Sequence, residues 1–164
     1  MRGHTPVSIH PAPHGADGLA QWRRLTRQGN TAFAAGRLDL AALDYTRALH
    51  LATTLAAGPA LSASPDDCLA ALVVAHHNLA DTCERRGDDA SALDHLCTAH
   101  DALMRIACDA ATRDDIRLHA IRHLTEARFA LLRWQRVHGA CTRTGALLTA
   151  SASVAFPPFD TARH

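Results

Sequence analysis

Residues 64–108 read SPDDCLAALVVAHHNLADTCERRGDDASALDHLCTAHDALMRIAC, and they decide the fold. Ser64, Pro65, Asp66 and Asp67 form a helix start. They supply a capping hydroxyl, a proline where the first turn needs no amide hydrogen, and two acids at the positive end of the helix dipole. Leu72, His76, Leu79 and Cys83 then share one face at steps of three and four, which predicts a helix to about Arg86 that stops at Gly87. Asp88 or Asp89 caps a second helix ending near Cys108, with Leu93, Leu96, His100 and Met104 on its apolar side. A connection this short returns the chain antiparallel to itself.

The same grammar extends in both directions. Asp17 is expected to cap a helix to about Ala35, with Trp22, Leu25, Gly29, Ala32 and Phe33 on its buried face and Gly36 as its stop. A second helix spans about Asp39 to Ala56, with Ala41, Tyr45, Ala48 and Leu49 on one side, and Gly58-Pro59 with Ser62-Ala63-Ser64 reads as a linker. Thr112-Arg113-Asp114-Asp115 is similar to a capping box and opens the fifth and longest helix, to His138, closed by Gly139. That helix carries two apolar stripes: Ile116, Ala120, Ala127, Leu131 and Trp134, and Leu118, Ile121, Phe129 and Leu132. Two apolar sides predict a helix sandwiched between neighbours. A weakly patterned sixth segment runs from Cys141 to Ser151.

Composition agrees with an all-α chain. Of 164 residues 48% are hydrophobic but only 4% aromatic, so the core is built from Ala and Leu on close-packed helices rather than from a sheet. The 17 basic side chains are all Arg, and with 16 acids the net charge is +1, which gives no field for nucleic acid or an anionic membrane surface. Five cysteines without a C-x-x-C pair are expected as reduced thiols. Residues 1–16, with Pro6, Pro11 and Pro13, are expected as a disordered leader rather than a signal peptide, residues 17–152 as one helical domain, and residues 153–164 as a flexible tail. No apolar run reaches membrane-spanning length, and the cytoplasm is the expected location.

The stops Gly36, Gly87 and Gly139 recur at steps of 51 and 52. Internal repetition of this kind signals stacked helix hairpins. Leu25, Gly29, Gly36, Ala41, Tyr45 and Ala48-Leu49, then Leu79-Ala80, Gly87, Ala92, Leu96 and Ala99, resemble the packing positions of the tetratricopeptide repeat. The resemblance covers about residues 22–104. The family period is about 34 residues, so these copies have longer helices and a linker. In the third copy Arg128, Thr144 and Ser151 stand at packing positions. The fold implied is an all-α stack of antiparallel hairpins, five to six helices in number.

The resemblance also implies a function: a non-enzymatic adaptor or chaperone-like module that binds another protein or peptide in a groove lined by the first helix of each hairpin. Carried over by position, that groove presents Arg23, Thr26, Asn30 and Phe33, then His77, Asn78, Asp81, Glu84 and Arg85, then Glu126, Phe129, Arg133 and Arg136. Asn30 and Asn78 match the two Asn positions of the family's carboxylate-clamp members. Thr26, Glu126 and Ala130 replace the clamp's basic residues, so a clamp is not expected. No nucleotide-binding glycine loop, nucleophile elbow or metalloprotease motif occurs, and neither enzyme activity nor a cofactor is expected.

Histidine is the compositional anomaly, at 12 residues. His76, Cys83, Cys97 and His100 form a soft ligand set suited to copper(I) or zinc, and His119 and His123 stand one helical turn apart, as metal ligands can. The alternative, and the favoured one, is a core in which imidazoles hydrogen-bond and sulfurs pack. His76 and His100 lie at similar distances either side of Gly87, so they are expected buried in neighbouring layers, with Cys83 and Cys97 nearer the turn.

Overall fold

The computed structural model describes residues 15–155. They form α1 (Gly15–Ala34), α2 (Leu38–Ala57), α3 (Pro59–Ala63), α4 (Pro65–Arg85), α5 (Asp89–Cys108), α6 (Asp114–His138) and α7 (Thr142–Ala155), with no strand among the described residues. None of these helices is long and apolar enough to cross a membrane. The expected leader lies outside the described residues up to residue 14, and the expected tail from residue 156. α1 starts at Gly15 and α7 ends at Ala155, so each boundary of the helical region moves outward.

Glycine ends α1 and α4 for the same physical reason. Gly36 and Gly87 adopt φ of 72° and 77°, a region where a side chain is strained. Each closes a Schellman motif. Arg37 N–H donates to Ala32 O at 2.9 Å and Gly36 N–H to Phe33 O at 3.0 Å, while Asp88 N–H donates to Cys83 O at 2.9 Å and Gly87 N–H to Glu84 O at 3.0 Å. Gly139 has φ 87° but ψ 160°, and α6 ends on a single bond from its N–H to Gln135 O at 2.8 Å. Asp88 caps α5 by accepting from Ser91 N–H at 3.1 Å.

Four local expectations need correction. Asp17 lies inside the first turn of α1 instead of capping it. Ser64 occupies the N-cap of α4, but its side chain makes no capping bond. The linker after Gly58 folds into the single-turn α3, for which Pro59 supplies the preset first position. Thr112 does not cap α6: its hydroxyl donates to Asp109 at 3.3 Å, and the N-cap position falls to Arg113.

α1 packs along α2, α2 against α4, α4 along α5, α5 against α6, and α7 against α6 and α5; α4 also touches α1 and α6. The contacts are lined by alanine. Ala41, Ala48, Ala52, Ala71, Ala75, Ala92, Ala99 and Ala120 have no exposed surface, so backbones approach closely with Leu69, Leu103, Leu124 and Leu131 between them. At Gly29 the approach is closest, because an added Cβ would stand 2.5 Å from the Tyr45 ring. Of the two stripes on α6, Ile116, Ala120, Ala127, Leu131 and Trp134 are buried, whereas Leu118, Phe129 and Leu132 are exposed. The expected sandwich therefore covers one side only.

The third unit fills its polar positions instead of leaving them open. Thr144 and Ser151 are fully buried. Ser151 Oγ donates to Leu147 O at 2.8 Å and bonds to His100 Nε2 at 2.9 Å, and the Arg128 guanidinium donates to Ser151 Oγ. Gln135 Nε2 donates to Thr144 Oγ1. α7 is thus tied down by these hydrogen bonds in addition to the apolar contacts of Leu147, Leu148 and Val154.

These geometries give opposite signs for three glycine-to-alanine changes. Gly87→Ala meets no atom within 4 Å but forces a side chain to positive φ, and it is expected to cost about 1–2 kcal/mol. Gly29→Ala is expected to cost about 1–3 kcal/mol through overpacking against Tyr45. Gly145, in the open on α7, should gain roughly 0.5–1 kcal/mol as Ala. Urea midpoints of the three variants check all three signs.

Candidate functional site

α1, α4 and α6 lie side by side, and ion pairs cross between them. Arg23 pairs with Asp67 at 3.4 Å, Arg133 with Asp81 at 3.3 Å, and Arg122 with Asp66 at 3.7 Å. Hydrogen bonds join residues 44 apart for Arg23–Asp67, 52 for Arg133–Asp81 and 53 for His119–Asp66. The same spacing recurs between α5 and α7: 49 for Arg143–Asp94 and 51 for His100–Ser151. Nearly constant separation along two helices requires them to run parallel, about one glycine step apart. Each exposed pair contributes roughly 0–1 kcal/mol, so the ladder reports register more than it supplies stability.

The candidate groove residues converge in part. Asn30, Phe33, Asn78 and Asp81, with Tyr45, line a cavity of about 160 Å³. Tyr45 Oη donates to Asn30 Oδ1 at 2.7 Å, which fixes the amide's orientation. Burial first, and then the charge of Asp81, push the Tyr45 phenol above its usual value, so it remains a donor. The Arg85 guanidinium stacks over Phe33, 5.1 Å from the ring centre. Next to this cavity a shallower one of about 320 Å³ is lined by His77, Glu126, Phe129, Ala130 and Arg133. His77 Nε2 is buried there without a hydrogen-bond partner among the described residues. Burial lowers the His77 pKa; Asp81 and Glu126 oppose that effect and Arg133 adds to it.

The remaining candidates stand apart. Arg23 borders a different depression of about 620 Å³, with Gly15, Leu19, Leu55, Ala60 and Asp67. Thr26 is buried, Glu84 is half-buried and lines neither groove cavity, and Arg136 is exposed.

The histidines find partners that spacing along one helix did not show. His76 Nδ1 lies 3.2 Å from His95 Nδ1, with the rings tilted at 51°, so one nitrogen donates and the other accepts. His76 and His100 are both buried, as expected, but His100 turns to Ser151 on α7. Burial, then the charges of His95 and His77, push His76 down to about 4. Burial also lowers His95 and His100, against the opposing pull of Asp94 and Asp101. Cys83 and Cys97 sit in one apolar cluster with Ala80, Leu96, Leu131 and Trp134, and burial raises both thiols. His119 Nδ1 and His123 Nε2 converge at 3.1 and 3.0 Å on a single oxygen of Asp66. Burial acts to raise that carboxyl, but the bonds from His123 and His119 outweigh it and hold it below the usual carboxylate value. Among the described residues no three His, Cys, Asp or Glu side chains are grouped so as to hold a metal ion.

His95 and Asp66 are the participants that sequence reasoning missed. Asp66 read as a helix-start acid, and its link to His119 was visible only as a separation close to the glycine step. His95 follows Asp94 on a flank of α5 that no apolar periodicity marks.

Fold and site together define an all-helical protein of paired helices, with a polar face on alternate helices and a histidine-rich interior. Residues 20–156 match the family described as a protein of unknown function (DUF2753), and the chain belongs to that family. No curated protein and no solved structure matches the chain.

The buried imidazoles have a pH consequence. His76 is depressed in the folded state, so its contribution is fully present above the unfolded histidine value of about 6.5 and is lost as pH falls from there towards 4. That window is worth about 3 kcal/mol for His76. Unfolding free energy measured by urea titration is expected to fall between neutral pH and pH 4. In His76→Asn the dependence should be shallower.

Proposed function

We propose that this chain is a tetratricopeptide-like interaction module that binds a partner peptide or helix across the face formed by α1, α4 and α6, without catalysing a reaction. The convergence of Asn30, Phe33, Asn78 and Asp81 around one cavity, beside a second lined by His77, Phe129 and Arg133, carries the reading. These are side chains from three helices far apart in sequence. They meet on one face, as a groove requires, and they supply amides, a phenylalanine ring in each cavity and charges of both signs. Repeat register supports the same reading. Gly29 against Tyr45 and Ala80 near Leu96 are small-to-large pairs at matching distances from Gly36 and Gly87.

Recognition on this face rests on polar contacts and shape. Asn30 is held by Tyr45 and so presents its amide nitrogen, while Asn78 brings a complete amide to the same cavity. Donors from both amides and the acceptor of Asn78 suit the main chain of an extended segment. Phe33 under Arg85 offers a flat apolar step beside them.

Asn78→Ala and Phe33→Ala are expected to weaken partner capture at least tenfold. Asn78→Ala should leave the thermal midpoint unchanged within a degree or two, whereas Phe33→Ala should lower it because the ring also packs against the cluster of Tyr45 and Leu79. Parallel affinity captures from the native cell with wild type, both variants and an Arg47→Ala control on α2 check this. A partner retained equally by all four would sink the reading.

A further inference from the structure

α6 leaves one long face uncovered, and we propose that two copies of the chain meet there in antiparallel register. Three sides of the helix are occupied. α4 flanks it through Asp66 and Asp81, α5 covers Ala120, Ala127 and Leu131, and α7 closes the third side at Arg128 and Gln135. The remaining side runs Asp114, Leu118, Ile121, Thr125, Phe129, Leu132, Arg136, each three or four residues after the last, with Ile121 and Thr125 half-buried and the other five exposed. Leu118 is 61% exposed, Phe129 63% and Leu132 45%; Phe129, at the edge of the row, also lines the cavity it shares with His77, so the two surfaces adjoin at this ring. Four large apolar side chains along about 21 Å of helix, three of them exposed, are not what a solvated helix face presents.

The row is complementary to itself when reversed. Thr125 stands at its middle, with Ile121 and Phe129 four residues to either side, Leu118 and Leu132 seven, and Asp114 and Arg136 eleven. Two copies related by a two-fold axis through Thr125 set Leu118 against Leu132 of the second copy and Ile121 against Phe129. They also set the Asp114 carboxylate opposite the Arg136 guanidinium at each end. A two-fold contact demands self-complementarity of this kind. Thr125 is the smallest member of the row and lies where the helices cross, so it permits close approach. Parallel pairing would instead place acid on acid and base on base.

The end charges are available for this. Among the described residues Arg136 makes no ion pair, and Asp114 has only Arg117 at 3.4 Å with its side chain 96% exposed. An unrelated helix would need an apolar row with charges in the reverse order, and a second copy brings both by symmetry. The contact uses one helix face from each chain, so a reversible dimer is expected, on the order of micromolar in Kd.

Multi-angle light scattering on the purified chain tests this across dilution from about 100 μM to about 1 μM. The expected result is twice the 17.6 kDa chain mass at high concentration, falling towards one chain on dilution. Leu132→Glu changes an exposed side chain, so its helicity should be kept on circular dichroism while dimerisation weakens tenfold or more. Asp114→Arg should weaken it as well, and Asp114→Arg with Arg136→Asp together should restore it. A wild-type chain that stays monomeric overturns the proposal. So does a dimer indifferent to Leu132→Glu, or a double charge exchange that fails to recover association.

Discussion

The close approach of helix backbones through alanine and glycine is the constraint on which the rest of this structure depends. Ala41, Ala48, Ala71, Ala75, Ala92 and Ala99 bury no large side chain of their own. What they contribute is proximity: neighbouring helices come near enough for single leucines to fill the space between them. At Gly29 even a methyl group would collide with Tyr45. Helices this close cannot slide, and a fixed relation between them sets which side chains face across the gaps.

That fixed relation explains the long-range polar contacts. Asp81 reaches Arg133 and Asp66 reaches His119 because α4 and α6 run parallel, one glycine step apart. The two Schellman closures, at Gly36 and Gly87, turn the chain back in the same way each time, and they place α1 and α4 on the same side. The third unit departs from the pattern at Gly139, whose backbone makes a different turn, and α7 adds hydrogen bonds of Ser151, Thr144 and Arg128 to the apolar packing of Leu147, Leu148 and Val154. An interior bond network of this kind is demanding, since a buried polar atom left unmatched costs about 1–3 kcal/mol. Ser151 meets the demand by engaging its own helix, His100 and Arg128 at once.

The histidines follow from the same tightness. A leucine core with gaps between alanine-lined helices has room for imidazole, provided each ring stays neutral and finds a partner. His76 and His95 satisfy one another, and His100 uses Ser151. His119, half-buried, and His123, buried, instead share one oxygen of Asp66. The interior rings are uncharged packing elements with a latent proton cost, whereas the pair on α6 belongs to an electrostatic cluster.

The sequence by itself determined the six longer helices, the glycine stops and the step of 51 and 52, because periodicity and positive-φ glycines act over a few residues. The turn α3 and most of the expected caps were settled by the packing around them. It also determined that His76 and His100 would be buried, since each sits within an apolar row. Tertiary structure alone decided the partners. The antiparallel reading set His76 against His100 by counting from Gly87, but helix crossing and rotation brought His95 to His76 instead and turned His100 towards α7. Tertiary structure also decided that Leu118, Phe129 and Leu132 stay exposed, although periodicity marked them as apolar as Leu131. Local sequence sets which face of a helix is apolar. Whether anything covers that face depends on the path of chain segments elsewhere, and no pattern within the helix encodes it.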